Sequence, residues 1–121
     1  MNLNQYPQAI AQASTFVNDL ESQINSLRQQ IYEIEGRVDS QIAGGEFKND
    51  LQRKAARFDL LQARSEYQDA IADLDQLKDA KAKAITKLEL LRNGYSVAKI
   101  EARAAIVAQL AGLESREIVG L

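Results

Sequence analysis

The sequence contains no cysteine, no histidine and no tryptophan, and its one proline is Pro7. Without cysteine there is neither a disulfide framework nor a thiol nucleophile, a usage that suits a reducing compartment. Without histidine as well, the common catalytic triads and zinc sites lose the residues that carry them. Carboxylate-bridged di-iron bundles go the same way, because they use Glu-x-x-His pairs. The stretch "AGGEF" (residues 43–47) has neither the spacing nor the lysine of a phosphate-binding loop. No catalytic residue, cofactor-binding residue or metal ligand is expected, no cofactor is implied, and the chain reads as a non-enzyme.

Long apolar runs are also missing. None approaches the roughly 18 residues that span a bilayer, and "MNLNQYPQAI" lacks the basic and apolar regions of a secretory signal. A cytoplasmic protein with no membrane partner is expected. What is present is ordinary for one soluble domain of 121 residues: 45% apolar and 26% charged residues, with a net charge of −2.

After Pro7 the apolar residues fall on one heptad stripe: Ile10, Ala13, Val17, Leu20, Ile24, Leu27, Ile31, Ile34 and Val38. Steps of three and four alternate without a break, which keeps one face of a helix towards a partner helix. This predicts a helix over about 6–42. Gly44 and Gly45 then predict a turn over 43–48, on the expectation that a glycine past the helix end takes the left-handed conformation it adopts without steric cost. Asn49 as N-cap, with Gln52 three residues on, predicts the next helix start. From there to Arg92 there is no glycine or proline, so a helix over about 49–92 is expected, with the stripe Leu60, Ala63, Tyr67, Ala70, Leu74, Leu77, Lys81, Ala84, Leu88 and Leu91. Leu51, Phe58, Leu61, Ile71 and Ile85 flank it. Asn93-Gly94 predicts a second turn over 93–95, with Ser96 capping a third helix over about 96–112 that Gly112 ends, and a tail over 113–121.

The expected fold is therefore all-α: a long antiparallel helical hairpin of coiled-coil type followed by a shorter third helix, in a single helical domain. A turn centred near residue 46 would pair positions whose numbers sum to about 92, so that Leu60 meets Ile31, Tyr67 meets Ile24 and Leu74 meets Val17. The hairpin seam is assigned to Val17, Leu20, Ile24, Leu27, Ile31, Ile34, Leu60, Tyr67, Leu74 and Leu77. Two helices and a short third leave apolar surface uncovered, so a homo-oligomer is expected through Ile71, Ile85, Ile100, Val107 and Leu110.

Charge is unevenly distributed. Residues 1–46 hold six acids and two bases; residues 47–92 hold ten bases and eight acids. The basic start of the second helix (Lys48, Arg53, Lys54, Arg57, Arg64) is expected beside Glu33, Glu35, Asp39 and Glu46, each exposed pair contributing about 0–1 kcal/mol. Seven acids (Asp19, Glu21, Glu66, Asp69, Asp73, Asp75 and Asp79) form a candidate belt for a basic protein partner, against the ordinary reading of a solvated helix face. The basic cluster over 48–64 comes with no aromatic ladder or recognition motif, so nucleic acid is the lesser candidate partner. Lys81 on the stripe reads as a register-setting or snorkelling residue, and Tyr67 as a core filler with its hydroxyl at the edge.

One resemblance covers about residues 45–110. The order of parts is a G-x-x-K-N-D-x-x-R-K-A turn (Gly45, Lys48, Asn49, Asp50, Arg53, Lys54, Ala55), then E-Y-Q-x-A (Glu66, Tyr67, Gln68, Ala70), then Leu88–Ser96 and a short alanine-rich helix. This resembles small coiled-coil proteins encoded by phages and prophages, which are often found beside recombination genes. The resemblance implies a phage or mobile-element accessory role, in the host cytoplasm, and carries over no site residues. The function expected is binding of a macromolecular partner by an oligomeric coiled-coil protein, as a recombination accessory or an inhibitor of a host defence or nuclease. The alternatives are a structural subunit of a phage particle (neck, tail or scaffold) and an oligomer that sequesters a small ligand.

Overall fold

The computed structural model describes the backbone of residues 1–120 and the side chains of residues 1–113. After a 3-10 turn at Leu3–Gln5 come three α-helices: α1 (Tyr6–Ala43), α2 (Asp50–Gln62) and α3 (Ser65–Gly120). The fold is all-α, with α1 and α3 packed as a helical hairpin. Contacts divide the chain into two compact units, Val17–Lys83 and a second that joins Met1–Phe16 to Ala84–Leu121.

In the first unit the heptad stripe of α1 does what its spacing predicts. Leu20, Ile24, Ile31, Ile34, Val38 and Ile42 are buried, and Val17 and Leu27 half-buried. On α3, Ala70 is buried and Tyr67, Ile71, Leu74, Leu77 and Lys81 are half-buried. The helices are antiparallel, since Glu21 pairs with Lys81 and Arg37 with Glu66. Those partner numbers sum to 102 and 103, not 92, so the expected register is off by roughly ten residues.

The shift originates in α2. The second helix does not run uninterrupted from 49 to 92; it ends at Gln62 and α3 begins at Ser65. Here the Ala63 N–H still reaches the Asp59 carbonyl, but the Arg64 N–H tightens to the Leu61 carbonyl, and the Gln68 N–H starts the new ladder on the Arg64 carbonyl. Leu61 packs with Ile34, Val38 and Ile42, and half-buried Phe47, Ala56 and Tyr67 pack against that cluster. On one straight helix Leu61 and Tyr67 would lie roughly 120° apart. The interruption lets both address the same stripe of α1. Arg57 of α2 and Glu66 of α3 both contact residues 35–39 of α1, so α2 adds thirteen residues with little advance along α1. Tyr67 accordingly meets the Ile34–Val38–Ile42 cluster instead of Ile24. Leu60 leaves the seam, 36% exposed, and Leu61 at 4% takes the buried position.

The turn after α1 also differs from expectation in its cause. No described glycine has a positive φ. The Gly44 N–H bonds the Ser40 carbonyl and the Gly45 N–H the Ile42 carbonyl. What Gly45 supplies is room: a Cβ there would stand 2.8 Å from the Phe47 ring, which packs on the cluster. Asn49 caps α2 as predicted, its side-chain oxygen accepting from the Gln52 N–H at 2.9 Å, while the Gln52 carboxamide accepts from the Lys48 N–H.

In the second unit α3 continues through Asn93-Gly94 without a turn, and no separate short third helix starts at Ser96. The Ser96 hydroxyl donates to the Arg92 carbonyl within the helix. Gly112 does not end the helix, whose backbone runs to Gly120. Ala84 and Leu88 are buried, and Leu91, Tyr95, Ala98 and Ala102 extend the half-buried stripe at the same spacing. Tyr6 stacks on Tyr95 with ring centroids 5.6 Å apart, and Lys99 lies over the Tyr95 ring at 4.4 Å.

Candidate functional site

Two surfaces were expected to carry function, the acidic belt and the apolar face of the C-terminal segment. The belt does not survive as one surface. At roughly 100° per residue, Glu66, Asp69 and Asp73 fall within about 60° of one another on α3, and Asp75 and Asp79 lie on the opposite side. Three of the seven carboxylates have partners. Glu66 pairs with Arg64 at 3.4 Å and Arg37 at 3.9 Å, Asp79 with Lys83 at 3.0 Å, and Glu21 with Lys81. Among the described residues Asp19, Asp69, Asp73 and Asp75 are exposed and make no ion pair. Asp73 borders an open groove between the helices of the first unit, where Ser22, Ser26 and Gln30 of α1 face Gln76, Leu77 and Ala80 of α3.

The Glu21–Lys81 pair sits beside the seam, where Lys81 occupies a heptad position otherwise held by apolar residues. The hydrogen bond from Lys81 holds the Glu21 carboxyl below its ordinary pKa, with the nearby Lys81 and Arg28 charges acting in the same direction. Because the folded-state value is the lower one, the pair stabilises the fold fully above the unfolded-state pKa. That contribution is lost as pH falls through the folded-state value. A carbon-detected NMR titration should find Glu21 among the most acidic glutamates, and Lys81→Met should return it to the ordinary range. An unchanged midpoint in the variant would show that the lysine does not set it.

The basic start of α2 is largely neutralised locally. Arg57 donates to Asp39 at 2.7 Å and lies 3.7 Å from Glu35, and the bond to Asp39 raises its pKa further. Arg53 pairs with Asp50 at 3.0 Å, and Arg64 reaches the Gln41 carboxamide as well as Glu66. Such pairing leaves this cluster a weaker phosphate-binding surface than its composition implies.

The apolar candidates separate into two groups. Ile71 is half-buried in the first unit. Ile85, Ile100, Val107 and Leu110 are exposed on α3 in the second unit, together with Val97, Ile106 and Leu113. No polar or charged side chain is buried among the described residues, and none of them form a cluster of three or more metal-ligating groups. No helix among them is long and apolar enough to cross a membrane. The Tyr6–Tyr95–Lys99 stack was not anticipated. Its only sequence signal is an aromatic near the start of α1 and another the right distance along α3, which is readable only once the register is known. Comparisons with protein-family models, with curated proteins and with solved structures found no match for this chain.

Proposed function

We propose that this chain is a non-enzymatic, oligomeric helical-hairpin protein that acts by binding a macromolecular partner, as an accessory factor of a phage or mobile element. The observation that carries the reading is the apolar surface of the later part of α3: Ile100, Val107 and Leu110 are each more than half exposed, and every side chain from Arg103 to Leu113 is exposed. Contiguous apolar surface of that kind marks association sites. The unpaired carboxylates Asp69 and Asp73, which share one side of α3, are the charged surface best placed to receive a basic protein partner. The phage setting rests on the resemblance over residues 45–110, and recombination genes beside the coding sequence would support it.

Native mass spectrometry of the protein isolated from its source host tests the reading directly. The expected result is an oligomer retaining a second macromolecule. Asp69→Asn with Asp73→Asn is expected to reduce that retention about tenfold or more, with Asp75→Asn having little effect. A bare monomer, or full retention in the double variant, would remove respectively the binding reading and the acidic surface from it.

A further inference from the structure

The two flanks of the hairpin seam in the first unit are covered differently. On one flank Lys81 bonds Glu21, so two long, half-buried side chains lie over the seam. On the other flank the neighbours of that pair in sequence are Ala80 and Ser22, both too short to do the same. An open groove about two helical turns long lies there, with Ser22, Ser26 and Gln30 of α1 on one wall and Asp73, Gln76 and Ala80 of α3 on the other. Its floor is Leu27 and Leu77. Both stay half-buried, whereas Ile24 and Ile31 on either side of Leu27 are buried.

One end of this groove is acidic. At about 100° per residue Glu33 falls on the side of α1 that carries Ser26 and Gln30, and Asp69 on the side of α3 that carries Asp73 and Ala80. In the register set by Glu21–Lys81 and Arg37–Glu66, Glu33 stands opposite Asp69 and Gln30 opposite Asp73. Glu33, Asp69 and Asp73 are exposed and make no ion pair among the described residues; Glu33 accepts from the Gln29 carboxamide at 3.4 Å. The bases at the two ends are engaged already, Arg37 by Glu66 and Lys83 by Asp79.

We infer that this groove seats a basic amphipathic helix of a partner protein, laid along the hairpin as a third helix with its Lys or Arg residues over Glu33, Asp69 and Asp73. The inference deepens the binding reading above and rests on it. The fold selects a helix. Among the described residues no strand offers an edge to an extended peptide, and no aromatic lines the groove to hold a polyproline segment. The short walls at Ser22, Ser26 and Ala80 let a third helix approach to the roughly 8–10 Å of packed helices, so that its apolar side chains reach Leu27 and Leu77. The unpaired carboxylates select basic residues over acidic ones.

The same charges decide against a second copy of this chain. Its basic helix α2 is held through Arg57 by Glu35 and Asp39, on the opposite side of α1 from the groove. Seating α2 in a neighbour's groove would therefore make a head-to-tail contact that does not close into a two-fold dimer. The exposed apolar segment over 104–113 carries no base to place against the carboxylates.

The probe is a labelled synthetic helix of about 20 residues, long enough to hold helical structure, with leucines along one stripe and lysines flanking it. Its twin carries glutamates in place of the lysines. Fluorescence anisotropy is expected to show binding of the lysine peptide and none of the twin. Asp69→Asn with Asp73→Asn is expected to weaken that binding about tenfold or more. Ser26→Gln with Ala80→Gln fills the groove, keeps every carboxylate, and is expected to weaken it by at least as much, with helicity unchanged by circular dichroism. Undiminished binding to the filled groove, or no binding of the lysine peptide at all, would overturn the proposal. In native mass spectrometry from the source host, a second macromolecule still retained by the filled variant would overturn the groove and leave the binding reading standing. A retained chain identical to this one and lost on filling would make the groove a self-interface and overturn the foreign partner. A bare monomer would overturn both readings.

Discussion

Leu61→Ala is expected to destabilise the first unit by about 2–4 kcal/mol, and Leu60→Ala by less than about 1 kcal/mol. The two leucines are neighbours in sequence and identical in chemistry, so propensity and unfolded-state effects nearly cancel between the variants. What differs is burial. Leu61 is 4% exposed and closes the cluster of Ile34, Val38 and Ile42, with Val38 wholly excluded from solvent. Truncating it removes transfer free energy and leaves a cavity against three helices, which cannot all relax inwards. Leu60 is 36% exposed, and water already solvates much of what the substitution deletes. Urea unfolding followed by circular dichroism at 222 nm would read the difference as a shift in midpoint. For a protein of ordinary marginal stability the larger loss is a substantial fraction of the total. Equal losses, or a greater loss at Leu60, would restore the uninterrupted second helix with Leu60 on its seam.

That pair of leucines also shows where reading the sequence stops. The stripe of α1 from Ile10 to Val38 is legible because heptad spacing is a local property, and its members are buried or half-buried as that spacing predicts. The Asn49 cap is legible for the same reason. The interruption at Ala63 and Arg64 is not. It contains no glycine or proline, and its cause is tertiary: Leu61 and Tyr67 must both reach one stripe of α1. Missing it moves the pairing by about ten residues. Glu21 and Lys81 were each singled out separately, but the bond between them depends on a register that no local signal gives. The acidic belt fails for the same reason, since composition shows how many carboxylates there are and only the folded helix shows which of them face one way. Gly45 was read for its conformational freedom, but its backbone does not use that freedom; Phe47 occupies the space its missing side chain leaves.

Gly94→Pro is expected to cost about 3 kcal/mol or more and to reduce helicity. A left-handed glycine stop would reject proline and alanine alike, since neither takes a positive φ without strain. Inside α3 proline removes a ladder hydrogen bond, drives its ring into the preceding turn and disfavours the helical conformation of Asn93. The helix passes through Asn93-Gly94 because its surroundings outweigh the local stop signal. Leu91, Tyr95 and Ala98 carry the half-buried stripe across it, Tyr6 stacks on Tyr95, and the Ser96 hydroxyl holds the Arg92 carbonyl. A glycine stop works by taking a left-handed conformation, and Gly94 does not take it. Gly94→Ala is the control. Alanine's helix propensity favours it by about 1 kcal/mol, while its Cβ would stand 3.0 Å from the Tyr6 hydroxyl and 3.2 Å from the ring, so the tyrosine must give by a few tenths of an ångström. These terms oppose each other, and the net change is expected to stay within about 1 kcal/mol, well short of the proline loss. A thermal melt in which proline and alanine behave alike would mean that α3 does not run through this point, and the stripe beyond it would then belong to a separate helix.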